Sequence, residues 1–286
     1  MNRVIVVGAD GSDAATATAA VEWAADDAAR AGARLRIVHA VDRAPYAPAT
    51  SSTPGQDDAM VSAHRVLSDA EAVAGKRQPG VDGDCDCELL QGAAAATLRG
   101  QAGDSAEIVI GGSGLGGFPG TVLGSVNTHV AGHAHGPVVI VRSDPDTAHG
   151  QVVVGLDDYP AGEPALAYAF EQAMLRASTL RAVYAWRPPA HAHIPERAYD
   201  LDEIAAARCR VAAAALGGWR QRYPQVPVIE DVRRAHPVDA LISASAQADL
   251  VVVGSQGRGA IGTVMLGSVT LGILYGASGS VAVVRP

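Results

Sequence analysis

The strongest constraint on how this 286-residue chain folds is an internal duplication. Four segments recur in the same order: VIVVGADGS and QVVVGLDDY, LRIVHAVD and LRAVYAWR, EIVIGGSG and DLVVVGSQG, and GPVVIVR and GSVAVVR. Their spacing indicates a tandem repeat of a unit of about 140 residues, a normal size for one domain. We therefore predict domains at 1–143 and 150–286, joined by the polar segment SDPDTAHG.

Within each half, short β-branched runs alternate with long Ala-rich stretches. The runs are nearly all apolar, which indicates strands buried on both faces. Strand–helix alternation of this kind predicts two tandem doubly wound parallel five-stranded sheets, each a Rossmann-like α/β/α sandwich. We expect Ser12 to cap the first helix and Gly32 to end it. First-half strands are predicted near 4–8, 35–41, 85–90, 108–110 and 138–141, and helices near 13–31, 58–76, 93–102 and 124–134.

Charge and composition exclude some classes of function. The net charge is −8, Lys76 is the only lysine, and there is no basic stretch, which argues against nucleic-acid binding. No apolar run approaches the roughly 18 residues of a membrane span, and the first residues show no signal-peptide pattern. Three cysteines fit a reducing compartment, so we expect a cytoplasmic protein.

Several side-chain clusters have two interpretations. Cys85 and Cys87 could form a metal or redox pair, but two ordinary thiols in a strand is the favoured interpretation. His129 and His133 have metal-ligand spacing. The second half has no counterpart to them, which favours histidines at a helix end. Trp186 and Trp219 are expected to be packing residues rather than platforms for base stacking.

Glycine-rich stretches follow the fourth strand of each half. Both contain G-x-G-x-x-G, which suggests a dinucleotide site. However, the two matches fall at non-equivalent positions and follow the wrong strand for that fingerprint. The pattern G-x2-G-x9-G-S, by contrast, repeats in register. Its members are Gly111, Gly114, Gly124 and Ser125 in the first copy, and Gly254, Gly257, Gly267 and Ser268 in the second.

This repeated pattern predicts an anion site. Ligands of doubly wound sheets bind at the carboxyl ends of the strands. Gly114 and Gly257 would allow positive φ and turn amides inward. The Gly-Ser pair would open a helix whose first amides carry the positive end of its dipole and suit phosphate. The alternative is a tight loop with Ser125 and Ser268 as ordinary caps.

With these motifs on both halves, the chain resembles the universal stress protein family over nearly its whole length. Its tandem arrangement resembles members typical of actinobacteria, including mycobacteria. The glycine motif resembles that of the ATP-binding members. The resemblance implies one ATP site per half, in which Asp10 and Asp157 contact the adenosine. The other implied residues are Gly8, Ala9, Gly155 and Leu156 in the wall, Ala40 and Ala185 at the adenine, Gly111 and Gly254 at the ribose, and Gly114, Gly124, Ser125, Val126, Gly257, Gly267, Ser268 and Val269 at the triphosphate.

The two copies also differ. Arg258 adds charge to the second site, where the first has Leu115. Gly92 becomes Ala235, and Ser280 stands where proline is usual. The two sites are therefore expected to differ in affinity.

The resemblance implies a nucleotide-dependent stress-response module with ATP, accompanied by Mg²⁺ held through the phosphates. It also implies that the last strands pair within the chain and that chains form a homodimer. Neither half shows a matched general base, so no catalytic residue is assigned and binding is favoured over turnover. The alternatives are a weak ATPase, a relative of adenylate-transferring enzymes, and an interaction scaffold that needs no nucleotide.

Overall fold

The computed structural model describes residues 3–11, 14–42, 54–77, 85–103, 105–112, 124–142, 148–157, 162–188, 200–255 and 266–285. The chain divides into two compact units, Met1–Asp146 (unit 1) and Thr147–Pro286 (unit 2). Each unit is described by itself below.

Unit 1 contains a five-stranded sheet in the order β3-β2-β1-β4-β5, in which neighbouring strands are parallel. The chain order reverses between β1 and β4, as in doubly wound sheets. Its elements are β1 (Val4–Gly8), α1 (Ala14–Ala31), β2 (Arg34–Val41), α2 (Pro54–Arg77), β3 (Cys85–Gln91), α3 (Ala94–Gly100), a 3₁₀ turn (Gln101–Gly103), β4 (Glu107–Gly111), α4 (Ser125–His133) and β5 (Gly136–Val141).

Unit 2 repeats this topology, with the order β8-β7-β6-β9-β10 and the reversal between β6 and β9. Its elements are β6 (Gln151–Leu156), α5 (Glu163–Leu175), β7 (Thr179–Trp186), α6 (Leu201–Arg222), β8 (Val228–Arg234), α7 (Pro237–Ser245), β9 (Leu250–Gly254), α8 (Ser268–Gly276) and β10 (Ser280–Arg285). The predicted fold class is confirmed.

Burial follows strand position in both sheets. The central strands β1, β4 and β9 are buried except at their last residue, and the middle of β6 is buried. The expectation that the strands are apolar and buried on both faces is wrong for β3 and β8, which have the sequences CDCELLQ and VIEDVRR and are only partly buried. Each stands at an edge of its sheet, where charged side chains discourage pairing with other chains.

The predicted helix end at Gly32 is confirmed, whereas the predicted start of the second helix is not. Gly32 adopts φ +59°, and the N–H of Ala33 donates to the oxygen of Ala28 at 2.9 Å, so the glycine ends α1 as expected. Ser12 lies outside the described residues. The second helix begins at Pro54, four residues before the predicted start. Among the described residues, no helix has the length and apolar character needed to cross a bilayer.

Candidate functional site

The reversal of strand order places the predicted site residues at the carboxyl ends of β1 and β4 in unit 1. Val7 of β1 is paired with Val109 of β4, so the two strands end side by side. Beyond β1, Ala9 is buried and its N–H donates to the oxygen of Val38 at 2.9 Å. Asp10 follows and is exposed. In a doubly wound sheet, this is the edge at which ligands bind.

Unit 2 builds the same edge from β6 and β9. Val154 is paired with Val252, Gly155 and Leu156 end β6, and Asp157 is exposed just beyond it. Both predicted carboxylates therefore stand in solvent at the end of the first strand of their unit.

Gly8 and Gly155 have a packing role that sequence reasoning missed. A Cβ atom at Gly8 would lie 3.1 Å from Cδ1 of Leu98, and one at Gly155 would lie 3.1 Å from Cδ1 of Leu241. These glycines let α3 and α7 approach the strand ends closely. Their predicted role in a ligand wall stays a prediction.

Ala40 and Ala185 lie next to last in β2 and β7, and both are half-buried. The residue before each differs between the units. In unit 1, Nδ1 of His39 donates to the oxygen of Ala9 at 2.5 Å. In unit 2, Tyr184 is buried and its hydroxyl accepts from Nη1 of Arg208 at 3.2 Å. The strand end beside the predicted adenine position is therefore held by a different hydrogen bond in each unit.

The helices α4 and α8 begin as the glycine motif predicts. Gly124 is the N-cap of α4 with φ −60° and ψ 150°, and Gly267 is the N-cap of α8 with φ −62° and ψ 155°. Any residue adopts these angles, so the backbone does not demand glycine here. Ser125 and Ser268 are the first helical residues and are exposed, which argues against the alternative in which they are ordinary caps.

The first-turn amides of both helices have no hydrogen-bond partner among the described residues. The first intrahelical bonds run from Thr128 N to Gly124 O at 3.2 Å and from Leu271 N to Gly267 O at 2.9 Å. The N–H groups of residues 125–127 and 268–270 precede these bonds, so the helix offers them no acceptor. Val126 and Val269, the second residues of these helices, are half-buried.

Two buried side chains that sequence reasoning missed hold these helix starts against the sheet. Nδ2 of Asn127 donates to the oxygens of Gly111 at 2.9 Å and Gly112 at 3.1 Å. In unit 2, Oγ1 of Thr270 donates to the oxygen of Gly254 at 2.7 Å. Both residues lie 16 positions after the glycine that ends the strand. They fix the strand end and the exposed amides in one geometry.

Four predicted site residues lie outside the described residues: Gly114, Leu115, Gly257 and Arg258. The positive φ angles of Gly114 and Gly257, and the roles of all four residues at the phosphates, stay predictions. The other predicted residues are brought together at the carboxyl edge of their own unit.

The cysteine pair behaves as two strand thiols. Cys85 and Cys87 both lie in β3. Burial, with a smaller effect of Cys87, raises the pKa of the Cys85 thiol to about 12. The thiolate is the form that binds metals and attacks disulfides, so this environment disfavours both reactions. No group of three or more His, Cys, Asp or Glu side chains within the described ranges is arranged to hold a metal.

The histidine pair of α4 replaces two glycines of α8. The rings of His129 and His133 stack with centroids 4.2 Å apart, and Nδ1 of His133 donates to the oxygen of His129 at 2.8 Å. The equivalent residues, Gly272 and Gly276, leave room for the side chains of Val238 and Ile242 in α7. The pair is thus a feature of helix α4, in agreement with the favoured interpretation.

The two tryptophans lie among packed side chains. Trp186 is buried in a cluster with Tyr184 and Ala212. Trp219 stacks on Phe170 with centroids 5.9 Å apart. The predicted packing role is confirmed for both.

Comparisons with known proteins identify the family of the chain. The model of the universal stress protein family matches residues 1–142 and again residues 149–285. Universal stress protein Rv2005c of Mycobacterium tuberculosis is 35% identical over 98% of this chain and 96% of its own length. A universal stress protein of Archaeoglobus fulgidus has a TM-score of 0.71 at 18% identity, covering 98% of both chains. A universal stress protein solved in complex with cAMP is 27% identical and covers 49% of this chain and 98% of its own, with a TM-score of 0.40.

Two matches of the family model, one on each unit, span almost the whole sequence, and the mycobacterial relative aligns over nearly the full length of both chains. The chain belongs to the universal stress protein family.

Proposed function

We propose that each unit binds one ATP molecule and that the protein acts as a nucleotide-dependent regulatory module of the stress response. The adenosine would lie by Asp10 or Asp157, and the triphosphate at the start of α4 or α8. The predicted cytoplasmic location and homodimer belong to the same proposal.

One observation carries it: each unit presents a glycine-capped helix start whose first amides lack a partner among the described residues. Such amides, together with the helix dipole, favour a phosphate. Gly124 and Gly267 have ordinary φ angles, so their missing side chains are better explained by the space that a ligand needs. The same arrangement in both units supports a site rather than a chance loop.

Binding is favoured over catalysis. Among the described residues, the carboxylates that both units place at the end of the first strand are Asp10 and Asp157, which belong to the nucleoside end of the predicted site. Mg²⁺ would neutralise phosphate charge and would be held mainly by the phosphates, as is usual for this ion. We expect any ATP hydrolysis to be slow, because no described side chain stands in both units as a general base for the γ-phosphate.

The test is ATP titration of the full chain by calorimetry, with Gly124→Asp and Gly267→Asp made singly and together. A carboxylate beside the first amides would repel phosphate and fill the space that the glycine leaves. Each single substitution is expected to remove one of two binding events, and the double variant both.

Gly75→Asp and Gly218→Asp are matched controls with the same charge change. Both glycines are exposed helical positions with open space around them, one in each unit. They should bind ATP as the unaltered chain does, and circular dichroism should show all variants folded. Undiminished ATP affinity in the folded double variant would refute the site.

A further inference from the structure

Each unit buries one polar side chain in the first turn of the helix that follows its fourth strand. Asn127 is the third residue of α4 and is 4% exposed, and Thr270 is the third residue of α8 and is 3% exposed. Buried positions are usually filled by apolar residues, and a buried polar group destabilises the fold unless it is hydrogen-bonded. A polar residue at the same position in both units therefore points to a role beyond packing.

The hydrogen-bond acceptors of these side chains lie at the strand ends. Nδ2 of Asn127 donates to the oxygen of Gly111, the last residue of β4. Oγ1 of Thr270 donates to the oxygen of Gly254, the last residue of β9. In both units the pairing of the two central strands ends two residues earlier. Each side chain thus binds a carbonyl beyond that pairing, where the strand order reverses.

The same two residues carry the last of the first-turn amides. Their N–H groups complete the sets at 125–127 and 268–270, which have no partner among the described residues. The hydrogen-bonded turn is stiff, so a side chain that fixes its third residue to the sheet fixes the height and rotation of all three N–H groups. Sites that recognise a ligand by geometry need their groups held within about 0.5 Å by surrounding hydrogen bonds. Each side chain is committed to the sheet and can act on a ligand through these amides.

The choice between an amide and a hydroxyl follows the backbone of each unit. The carbonyl of Gly112, the residue after β4, also accepts from Nδ2 of Asn127, at 3.1 Å. The equivalent carbonyl in unit 2 is that of Ser255, and it accepts instead from the N–H of Gly267 at 2.9 Å. A side-chain amide has two N–H donors and a hydroxyl has one. Asparagine in unit 1 and threonine in unit 2 therefore match the acceptors that each backbone presents.

We infer that Asn127 and Thr270 are positioning residues of the two nucleotide sites. Each holds the first amides of its helix in the arrangement that receives phosphate, and neither touches the ligand. This inference rests on the proposed function, and it names the residue in each unit on which phosphate affinity depends indirectly.

The test in unit 2 uses the full chain carrying Gly124→Asp, so that binding reports the second site alone. Thr270→Val removes the hydroxyl and keeps the shape of the side chain, whereas Thr270→Ser keeps the hydroxyl and removes a methyl group. ATP, ADP and adenosine are titrated by calorimetry, and the melting temperature is measured without ligand. We expect Thr270→Val to weaken ATP and ADP about tenfold, the value of one hydrogen bond, and to leave adenosine unchanged. Thr270→Ser should lower the melting temperature through the lost methyl group and keep the affinity for ATP.

The test in unit 1 uses the full chain carrying Gly267→Asp and the same titrations. Asn127→Leu removes both hydrogen bonds at a similar side-chain volume and should weaken ATP about a hundredfold. Asn127→Thr, which copies unit 2, keeps one donor and should weaken ATP about tenfold. This graded pair keeps the inference testable if the leucine variant fails to fold.

Ser245→Ala is the matched control. Ser245, the last residue of α7, is 2% exposed, and its hydroxyl donates to Ile242 O at 2.7 Å and accepts from Ser278 N at 3.0 Å. It is as buried and as well bonded as Thr270 but serves the loop before β10. Its removal should lower the melting temperature and leave nucleotide affinity unchanged.

The outcomes separate the two proposals. If the unaltered chain binds neither ATP nor ADP, the proposed function is wrong and this inference falls with it. If ATP binds and the folded Thr270→Val and Asn127→Thr variants keep full affinity, the inference alone is wrong. An equal loss for adenosine, or a loss that follows the melting temperature across Thr270→Val, Thr270→Ser and Ser245→Ala, would show a general packing role and overturn the assignment.

Discussion

At the scale of single residues, the ends of the equivalent helices α1 and α5 differ in backbone strain. Gly32 at the end of α1 and Ala177 at the end of α5 hold the same turn, with φ +59° and +49°. In both, the N–H of the next residue donates to a carbonyl oxygen five residues earlier, from Ala33 to Ala28 and from Ser178 to Ala173, at 2.9 Å. Only glycine enters this region without steric penalty, so unit 2 carries strain that unit 1 avoids.

Ala177→Gly is therefore expected to stabilise the protein. The strain it relieves is about 1–2 kcal/mol, and the extra freedom of glycine in the unfolded chain offsets part of it. We expect a net gain of about 0.5–1 kcal/mol in the free energy of unfolding, measured by urea denaturation. Gly32→Ala is the reciprocal control and should lose a similar amount. An unchanged or lower urea midpoint for Ala177→Gly would show that the turn is not strained.

Residue-scale roles were predictable from sequence only where the residue type has one dominant use. Gly32 was predicted as a helix end, because glycine after a helical stretch usually serves that role. Ala177 was not, because alanine favours helices and gives no signal of positive φ. Asn127 and Thr270 were missed because each binds a carbonyl that only tertiary folding brings close.

At the scale of elements, the edge strand β8 depends on a partly buried charge cluster. Asp231 is 13% exposed and accepts from Nε of Arg181 at 2.7 Å and from Nε of Arg233 at 2.6 Å. Burial by itself raises the pKa of this carboxyl, but the hydrogen bonds and charges of Arg233 and Arg181 outweigh it, and the net pKa is lowered. The cluster joins β8 to β7 on a strand that lacks a full apolar face.

Asp231→Asn should thus destabilise the protein in a pH-dependent way. A folded pKa below the unfolded value contributes stability that is present above the unfolded pKa, about 3.9, and is lost as pH falls through the folded pKa. We expect a loss of about 2 kcal/mol at pH 7, the size of a charged hydrogen bond, and a smaller difference at pH 3.

Urea denaturation at pH 7, 5 and 3 measures this effect. Asp69→Asn is the control, because Asp69 is 76% exposed and lies 3.9 Å from Arg65, a surface pair worth less than about 1 kcal/mol. A pH-independent loss for Asp231→Asn would show that packing, and not charge, holds the edge.

Element types were predictable because most strands are short, apolar and regularly spaced. Which strands form the edges of the sheets was not predictable. The sequences of β3 and β8 carry too many charges for the buried strands that the repeat suggested. Only the strand order shows that they are edges, and that order depends on contacts distant in sequence.

At the scale of the whole molecule, the duplication was the most informative feature of the sequence. Comparison of the two copies separated G-x2-G-x9-G-S from the chance dinucleotide patterns and so predicted the helix starts at Ser125 and Ser268. It could not predict that Ser255 would be buried without a partner, because burial depends on the packing around the strand end. The two copies share the same strand order and helix starts, and they differ in side chains around the predicted site.

The shared plan predicts that the purified chain carries two nucleotides. Both units have the glycine cap, a side chain that anchors the helix start, and first amides without a partner among the described residues, so neither has lost these parts of a phosphate site. The chain, purified without added nucleotide, would be denatured and the released compounds quantified by chromatography and mass spectrometry. We expect close to two ATP per chain, and one per chain from the Gly267→Asp variant.

One ATP from the unaltered chain would show that the sites have diverged in affinity, and release of NAD or a flavin would favour the dinucleotide interpretation instead. No nucleotide, with no binding on titration, would leave the scaffold alternative, with glycines that serve only the loops.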